Sequence, residues 1–248
     1  MITCKSPAEI KKMRKAGKVV AEALKLAREN IRPGLMTIEL DRMIENLIVN
    51  SGSRPAFKGY HGYPASICAS INDEVVHSIP SKRSLKSGDI ISIDVGVELE
   101  GYFGDAARTF AVGDINDEAK DLMSITEKSL LAGISMAKVG NRLSDISHEI
   151  QVTAESAGYT VVRDYVGHGI GNEMHEDPQI PNFGPSGNGP ALKEGMVFAL
   201  EPMVNVGDFE VKVRNDEWTV VTADGSLSAH FEHTVALTKD GVMILTKE

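Results

Sequence analysis

Two stretches of this chain run in parallel, LKSGDIISIDVG from Leu85 and LKEGMVFALEPM from Leu192. In each, Leu-Lys-x-Gly leads into an apolar strand pattern, and the alignment sets Asp94 opposite Glu201. Lys-x-Gly turns before strands are common, so the match carries weight only if the surrounding elements repeat as well. They do. Ser6, Pro7 and Glu9 make an S-x-x-E capping box with proline at the first helical position, helix formers run on to Asn30, and IRPG stops them. A second helix is expected over 37–49, followed by strands over 65–71, 75–79, 89–97 and 105–112. The order then recurs, with helices over 117–138 and 144–157, Gly158 as the stop, and strands at 160–166, 195–206, 209–213, 217–222, 231–238 and 242–246. Helices that arrive in pairs, not between successive strands, predict an α+β fold with antiparallel sheet and argue against βαβ units. The repeat predicts two related halves, roughly 1–113 and 114–248, within a single domain spanning 1–248.

Bulk properties narrow the function classes. Hydrophobic residues make up 42% of the 248, enough for a substantial core. There is no run of 18 apolar residues, and the charged EIKKMRKAGK opening is not built as a leader, so a soluble, cytoplasmic protein with no membrane role is expected. Cys4 and Cys68 lie far apart without CxxC or Cys/His clustering, which excludes a disulfide framework or zinc ribbon and fits a reducing compartment. A net charge of −9 argues against a broad nucleic-acid surface, DNA included. Only the N-terminal segment is locally basic, through Lys5, Lys11, Lys12, Arg14, Lys15 and Lys18, and such runs are ordinarily solvated helix faces. No G-x-G-x-x-G or P-loop pattern supports a nucleotide fold. The stretch 178–190, PQIPNFGPSGNGP, has four prolines and three glycines and reads as an ordered crossing loop within the domain.

The polar residues inside strand patterns then need an explanation. Asp94 and Asp105 flank an index midpoint at Leu99 and Glu100, so a tight hairpin there would set them nearly opposite, with Cβ atoms roughly 4.5–5.5 Å apart. Two carboxylates so close, among apolar residues, repel unless a positive charge lies between them. Solvent exposure at a hairpin end, or pairing with Arg108, would explain either one alone. Glu201 at the end of MVFALEPM and Glu232 within SAHFEHTVAL repeat the anomaly. Four acids on four core strands point to a pair of divalent cations. His168, in the glycine-flanked VGHGIG, could complete the set. HEDP at 175–178 is not H-E-x-x-H, because Gln179 takes the second histidine's place and Pro178 breaks the helix that motif needs. His148 is expected on a helix surface and His233 on the face opposite Glu232, both without a direct role; His61 is also assigned little.

Asp94, Asp105, His168, Glu201 and Glu232, in this order, closely resemble the ligand set of the type I methionine aminopeptidases. The resemblance extends over essentially the whole chain, through GYHGYP (59–64), INDEVVHSIP (71–80), DVG with GDAARTF, YVGHGIGNEMHEDPQIPNF (165–183), EGMVFALEPM (194–203) and HFEHTVALT (230–238). It implies the pita-bread fold, whose two αβ halves are related by a pseudo-twofold axis. It implies a metal-dependent hydrolase that removes the initiator methionine from nascent proteins and peptides when the second residue is small. By the same resemblance, two divalent ions (Mn, Fe, Co or Zn) are held with Asp105 and Glu232 bridging, and a bridging water attacks the peptide carbonyl. Glu201 is then the proton acceptor, and His77 and His175 bind substrate and stabilise the tetrahedral intermediate or protonate the leaving amine. Phe57, Tyr60, Tyr63, Cys68, Met174 and Trp218 would line the methionine pocket. Met174 and Phe183 depart from the commoner family residues, phenylalanine and tyrosine or tryptophan. A proline-directed pita-bread peptidase and a catalytically dead binding protein are the rival readings. A monomer is expected, with transient docking at the ribosome as a further expectation.

Overall fold

The first helix begins where the capping box sits. In the computed structural model, which describes residues 2–247, the Ser6 N–H donates to Glu9 Oε2 at 2.7 Å and the Glu9 N–H to Ser6 Oγ at 3.4 Å. Helix α1, Pro7–Asn30, buries a face of Met13, Ala16, Val20, Leu24 and Ala27. Helix α2 follows at Thr37–Asn50. The strands of the first region are β1 (Arg54–Pro55), β2 (Cys68–Ile71), β3 (Glu74–Val76), β4 (Ile90–Leu99) and β5 (Tyr102–Ala111). A second pair of helices, α3 (Asp117–Met136) and α4 (Leu143–Glu155), leads into β6 (Thr160–Val161), β7 (Gly167–Gly169), β8 (Glu176–Ile180), β9 (Val197–Leu200) and β10 (Met203–Asn205). The chain closes with β11 (Val211–Val213), β12 (Val220–Thr222), β13 (Ser228–His230), β14 (His233–Thr238) and β15 (Gly241–Ile244).

Every strand pairing is antiparallel. Strand β4 carries β5 along one edge and β2 and β1 in succession along the other. The second large sheet has the order β15-β14-β9-β7-β8, and two three-stranded sheets, β13-β10-β6 and β11-β12-β3, complete the frame. The helix pairs cover the two large sheets. Leu24, Leu40, Ile44 and Ile48 pack with Ile67, Ile91, Ile93 and Val95 in one core. Leu122, Leu130, Ile146 and Ile150 pack with Phe198, Leu200, Val235 and Leu237 in the other. Each such side chain contributes about 1.5–3 kcal/mol on burial.

The internal repeat is visible in the hydrogen bonds. Leu85 N–H donates to Leu35 O at 2.9 Å and Leu85 O accepts from Gly34 N–H at 2.8 Å; Leu192 N–H donates to Asn141 O at 2.8 Å and Leu192 O accepts from Gly140 N–H at 3.1 Å. Isolated bridges pair Met36 with Ser84 and Arg142 with Ala191. Both leucines are buried at the foot of their helix pair.

Several expectations need correction. The segment 195–206 is two strands, because Pro202 has no N–H for the ladder and the chain breaks at Glu201. The strand expected over 231–238 begins only at His233, with Glu232 in the break between β13 and β14. Residues 178–180 are not loop: they end β8, an edge strand where Pro178 needs no ladder donor. His168 lies in the centre of β7, between its two flanking glycines.

A buried acid cradle beside an apolar slot

The β4–β5 hairpin closes through Glu100 and Gly101, both at positive φ (54° and 78°), the two-residue turn whose twist suits paired strands. That turn sits one residue later than the index midpoint suggests. Asp94 therefore faces Ala107, and Asp105 faces Gly96. The two aspartates share a face as diagonal neighbours, at roughly 7–8 Å Cα spacing or a little less between side chains, and are not directly opposed.

The second region brings its acids to the same point from strand ends. Glu201 follows β9, and Glu232 precedes β14, whose first pair is His233 with Leu200. Glu232 N–H donates to Ala107 O at 2.8 Å. Asp105 N–H donates to Thr234 Oγ1 at 3.0 Å, and that hydroxyl donates back to Asp105 O at 2.7 Å. These bonds zip the two large sheets together at the site. In β7, a side chain on Gly167 or Gly169 would overlap the carbonyl of Ala199 or Asp177, so glycine on both sides admits His168 between β8 and β9. His168 Nδ1 bonds Gly169 O at 2.9 Å and its Nε2 lies 3.5 Å from Glu201 Oε1.

Donor atoms of Asp105, His168 and Glu232 all lie within 4.8 Å of one another. Asp94 Oδ1, Asp105 Oδ1 and Glu232 Oε1 are buried with no hydrogen-bond partner. No lysine or arginine lines the cavity. Burial raises Asp94 well above the carboxylate range, with Asp105 and Glu201 adding to it, and raises Asp105 to about 7. Burial, then Asp105, raises Glu201; burial, then the three other acids, raises Glu232. Four buried acids, three of them with a stranded oxygen, and no organic cation form an oxygen-rich cradle with one imidazole, the donor set that suits divalent cations. The residues fit such ions.

Beside the acids, Phe57, Tyr63, Cys68 and Met174 form a buried cluster with Tyr60 and Trp218 packed on it. Tyr63 donates its hydroxyl between Ile67 O and Ser78 O, both at 3.0 Å, and its ring meets Trp218 edge-on at 5.1 Å. Burial raises the Cys68 thiol, so it is a neutral lining group. Tyr60 Oη lies 2.8 Å from His175 Nδ1, and the His175 ring lies 4.2 Å from that of His168. His77 holds φ at 60°, a left-handed conformation that costs a non-glycine residue about 1–3 kcal/mol and is found where function requires it. Burial, then a neighbouring histidine, lowers His77 to about 4 and His168 to about 3; burial, then His61, lowers His175.

Every site residue named from the sequence, ligand, histidine and pocket residue alike, lines this one cavity of about 140 Å³. His61 also borders it, as an exposed residue between left-handed Gly59 and Gly62. His230 was missed altogether. It is buried, and its unpartnered Nε2 lies 3.8 Å from Glu201 Oε2. His233 Nδ1 bonds Thr246 Oγ1 at 2.8 Å and His148 Nδ1 bonds Gly184 O at 3.1 Å, and neither lines the cavity.

Residues 11–239 match the profile of metallopeptidase family M24. The chain is 57% identical over 247 residues to the methionine aminopeptidase of Clostridium acetobutylicum, covering 99% of each chain. The crystal structure of methionine aminopeptidase from Thermotoga maritima superposes with a TM-score of 0.98 at 51% identity, covering 100% of both chains. Prolidase from Pyrococcus furiosus gives 0.79 at 25% identity, covering 99% of this chain but 65% of the prolidase.

Proposed function

From the premise that this chain belongs to metallopeptidase family M24, we propose how its cavity carries out the family's chemistry. The chain has the pita-bread fold, and it is a hydrolase of peptide substrates that removes N-terminal methionine. Its family works with divalent metals. Two ions per chain, Mn, Fe, Co or Zn, would be held in the cradle by Asp94, Asp105, His168, Glu201 and Glu232. The observation that carries this reading is the set of buried, partnerless carboxylate oxygens converging beside an apolar slot. Bound there, the cations supply Lewis acidity, neutralising the acids, acidifying water and polarising a carbonyl.

The protein groups do the rest. The methionine side chain enters the slot between Phe57, Tyr63, Cys68, Met174 and Trp218, where an apolar, polarizable lining suits a thioether. Glu201 accepts the proton from the attacking water and passes it toward the departing amine. With Tyr60 donating its hydroxyl to His175 Nδ1, the other ring nitrogen keeps a proton and can donate to the carbonyl oxygen as negative charge develops. His77, neutral because it is buried, is a second donor lining the same cavity. A small cavity favours a small second residue.

The chain functions as one catalytic domain with halves of roughly 1–113 and 114–248, as a monomer, in the cytoplasm, on nascent chains as well as free peptides. Among the described residues no helix is long and apolar enough to cross a membrane. The basic face of α1 is the docking surface at the ribosomal exit; co-sedimentation unchanged by reversing its lysines would remove that assignment. For the reaction itself, metal-loaded protein is expected to release methionine from Met-Ala-Ser in preference to cleaving Xaa-Pro peptides. Preference for Xaa-Pro would favour the proline-directed rival, and no cleavage by metal-loaded protein would favour the binding protein.

A further inference from the structure

Behind the loop that carries Met174 and His175 lies a buried ion pair that touches neither the slot nor the acids. Lys5, in the segment before α1, has a side chain only 3% exposed and pairs with Glu176, the residue that follows His175. Its backbone N–H is fixed to Gly195 O, and its ammonium also reaches Thr3 O at 3.4 Å. The other carboxylate oxygen of Glu176 accepts the N–H groups of Asn172 and Glu173, at 3.0 and 3.3 Å. Gly171 packs so tightly against the pair that a Cβ there would overlap Lys5 Cε and Glu176 Oε1. Gly171 O in turn receives the N–H of Phe103 at 2.9 Å. The loop 171–175 is thus tied at both ends to one carboxylate, and that carboxylate is held by one ammonium.

We propose that Lys5 and Glu176 are positioning residues, a clamp that sets the 171–175 loop and so fixes the Met174 wall of the slot and the His175 ring, making this pair a determinant of selectivity for methionine. The proposal rests on the reading of the slot as the methionine site. Removing the ammonium leaves a buried carboxylate uncompensated, and a carboxylate that swings out to water releases both loop N–H groups. The wall then moves relative to the side chain it contacts.

The test compares wild type, Lys5→Met and the neutral pair Lys5→Met/Glu176→Gln, loaded with Mn²⁺, on Met-Ala-Ser and Leu-Ala-Ser, with hydrogen exchange read at Asn172 and Glu173. Lys5→Met is expected to lower kcat/KM for Met-Ala-Ser by about tenfold or more, mainly through KM, since small displacements of a positioned group are costly. Discrimination against Leu-Ala-Ser should fall about threefold or more, and the two amides should lose protection while α3 is unchanged. The double variant should recover most of each change. A uniform loss on both substrates, or unaltered exchange at 172 and 173, would overturn the clamp. Should Lys5→Met fail to fold, Glu176→Gln is expected to show smaller shifts of the same kind, and none would overturn it. If wild type itself leaves Met-Ala-Ser intact, the methionine reading fails, and the exchange data alone then decide the clamp.

Discussion

The two helix-pair regions are built alike at their base and differ at the site. At Leu85 and at Leu192 the same pair of backbone hydrogen bonds ties a helix pair to a strand. Above that base, the first region supplies short aspartates from within a hairpin of two continuous ten-residue strands, whereas the second supplies longer glutamates from the broken ends of β9 and β14. Reach explains the difference. A strand interior already lies close to the cradle centre and needs only one methylene, while a chain leaving its ladder needs the second. The regions have also divided the lining of the cavity: Phe57, Tyr60, Tyr63 and Cys68 come from the first, His168, Met174, His175 and Trp218 from the second. A duplicated frame has become two unlike walls of one cavity.

The comparison breaks first at the proposed metal ligands. Asp105→Asn and Glu232→Gln, one from each region, are both expected to lower kcat about 10³-fold or more, measured on Met-Ala-Ser. A large loss in one and a mild loss in the other would mean that the regions do not contribute equally to the cradle. At the base, Leu85→Ala and Leu192→Ala should each cost about 2–5 kcal/mol, read by urea denaturation, with kcat in the folded protein largely kept. Unequal costs would show that one helix pair carries the frame. His175→Ala should lower kcat about 10²-fold, with a smaller change in KM; the reverse split would make it a binding residue only.

The smallest effect is a pH dependence peculiar to the metal-free protein. The four acids bind protons more tightly folded than unfolded, so the stability they contribute is lost as pH rises from about 4 through Asp105 at about 7 and beyond. His168 and His230, both lowered to about 3, act oppositely, but only below the ordinary histidine range near 6.5. Between pH 6.5 and 8 the acids act alone. EDTA-treated protein should therefore lose about 5 °C or more in Tm over that interval, and metal-loaded protein should not.

Much of this was legible in the chain because it depends on local chemistry. The capping box at Ser6 and Glu9, the repeated Leu-Lys-x-Gly and the acids at 94, 105, 201 and 232 each announce themselves within a few residues. What stayed hidden depends on turn handedness and on distant partners. The pairing of Asp94 with Ala107 follows from Gly101 in the left-handed region, which places the turn at Glu100–Gly101, where an index midpoint put it at Leu99–Glu100. Strand β8 reads as loop because its proline is tolerated only at an edge, and the edge is created by β7 pairing it from one side alone. His230 looks like any core histidine until Glu201, far away in sequence, is folded against it.

The central claim is that the cradle binds two divalent ions and that their binding switches on removal of methionine. Calorimetric titration of EDTA-stripped protein with Mn²⁺, with mass spectrometry of Met-Ala-Ser at each step, tests both parts at once. The account predicts saturation at two ions per chain, with free methionine appearing as ions bind and neither event in Asp105→Asn. Methionine release that persists without bound metal, or tight Mn²⁺ binding that survives Asp105→Asn unchanged, would contradict it.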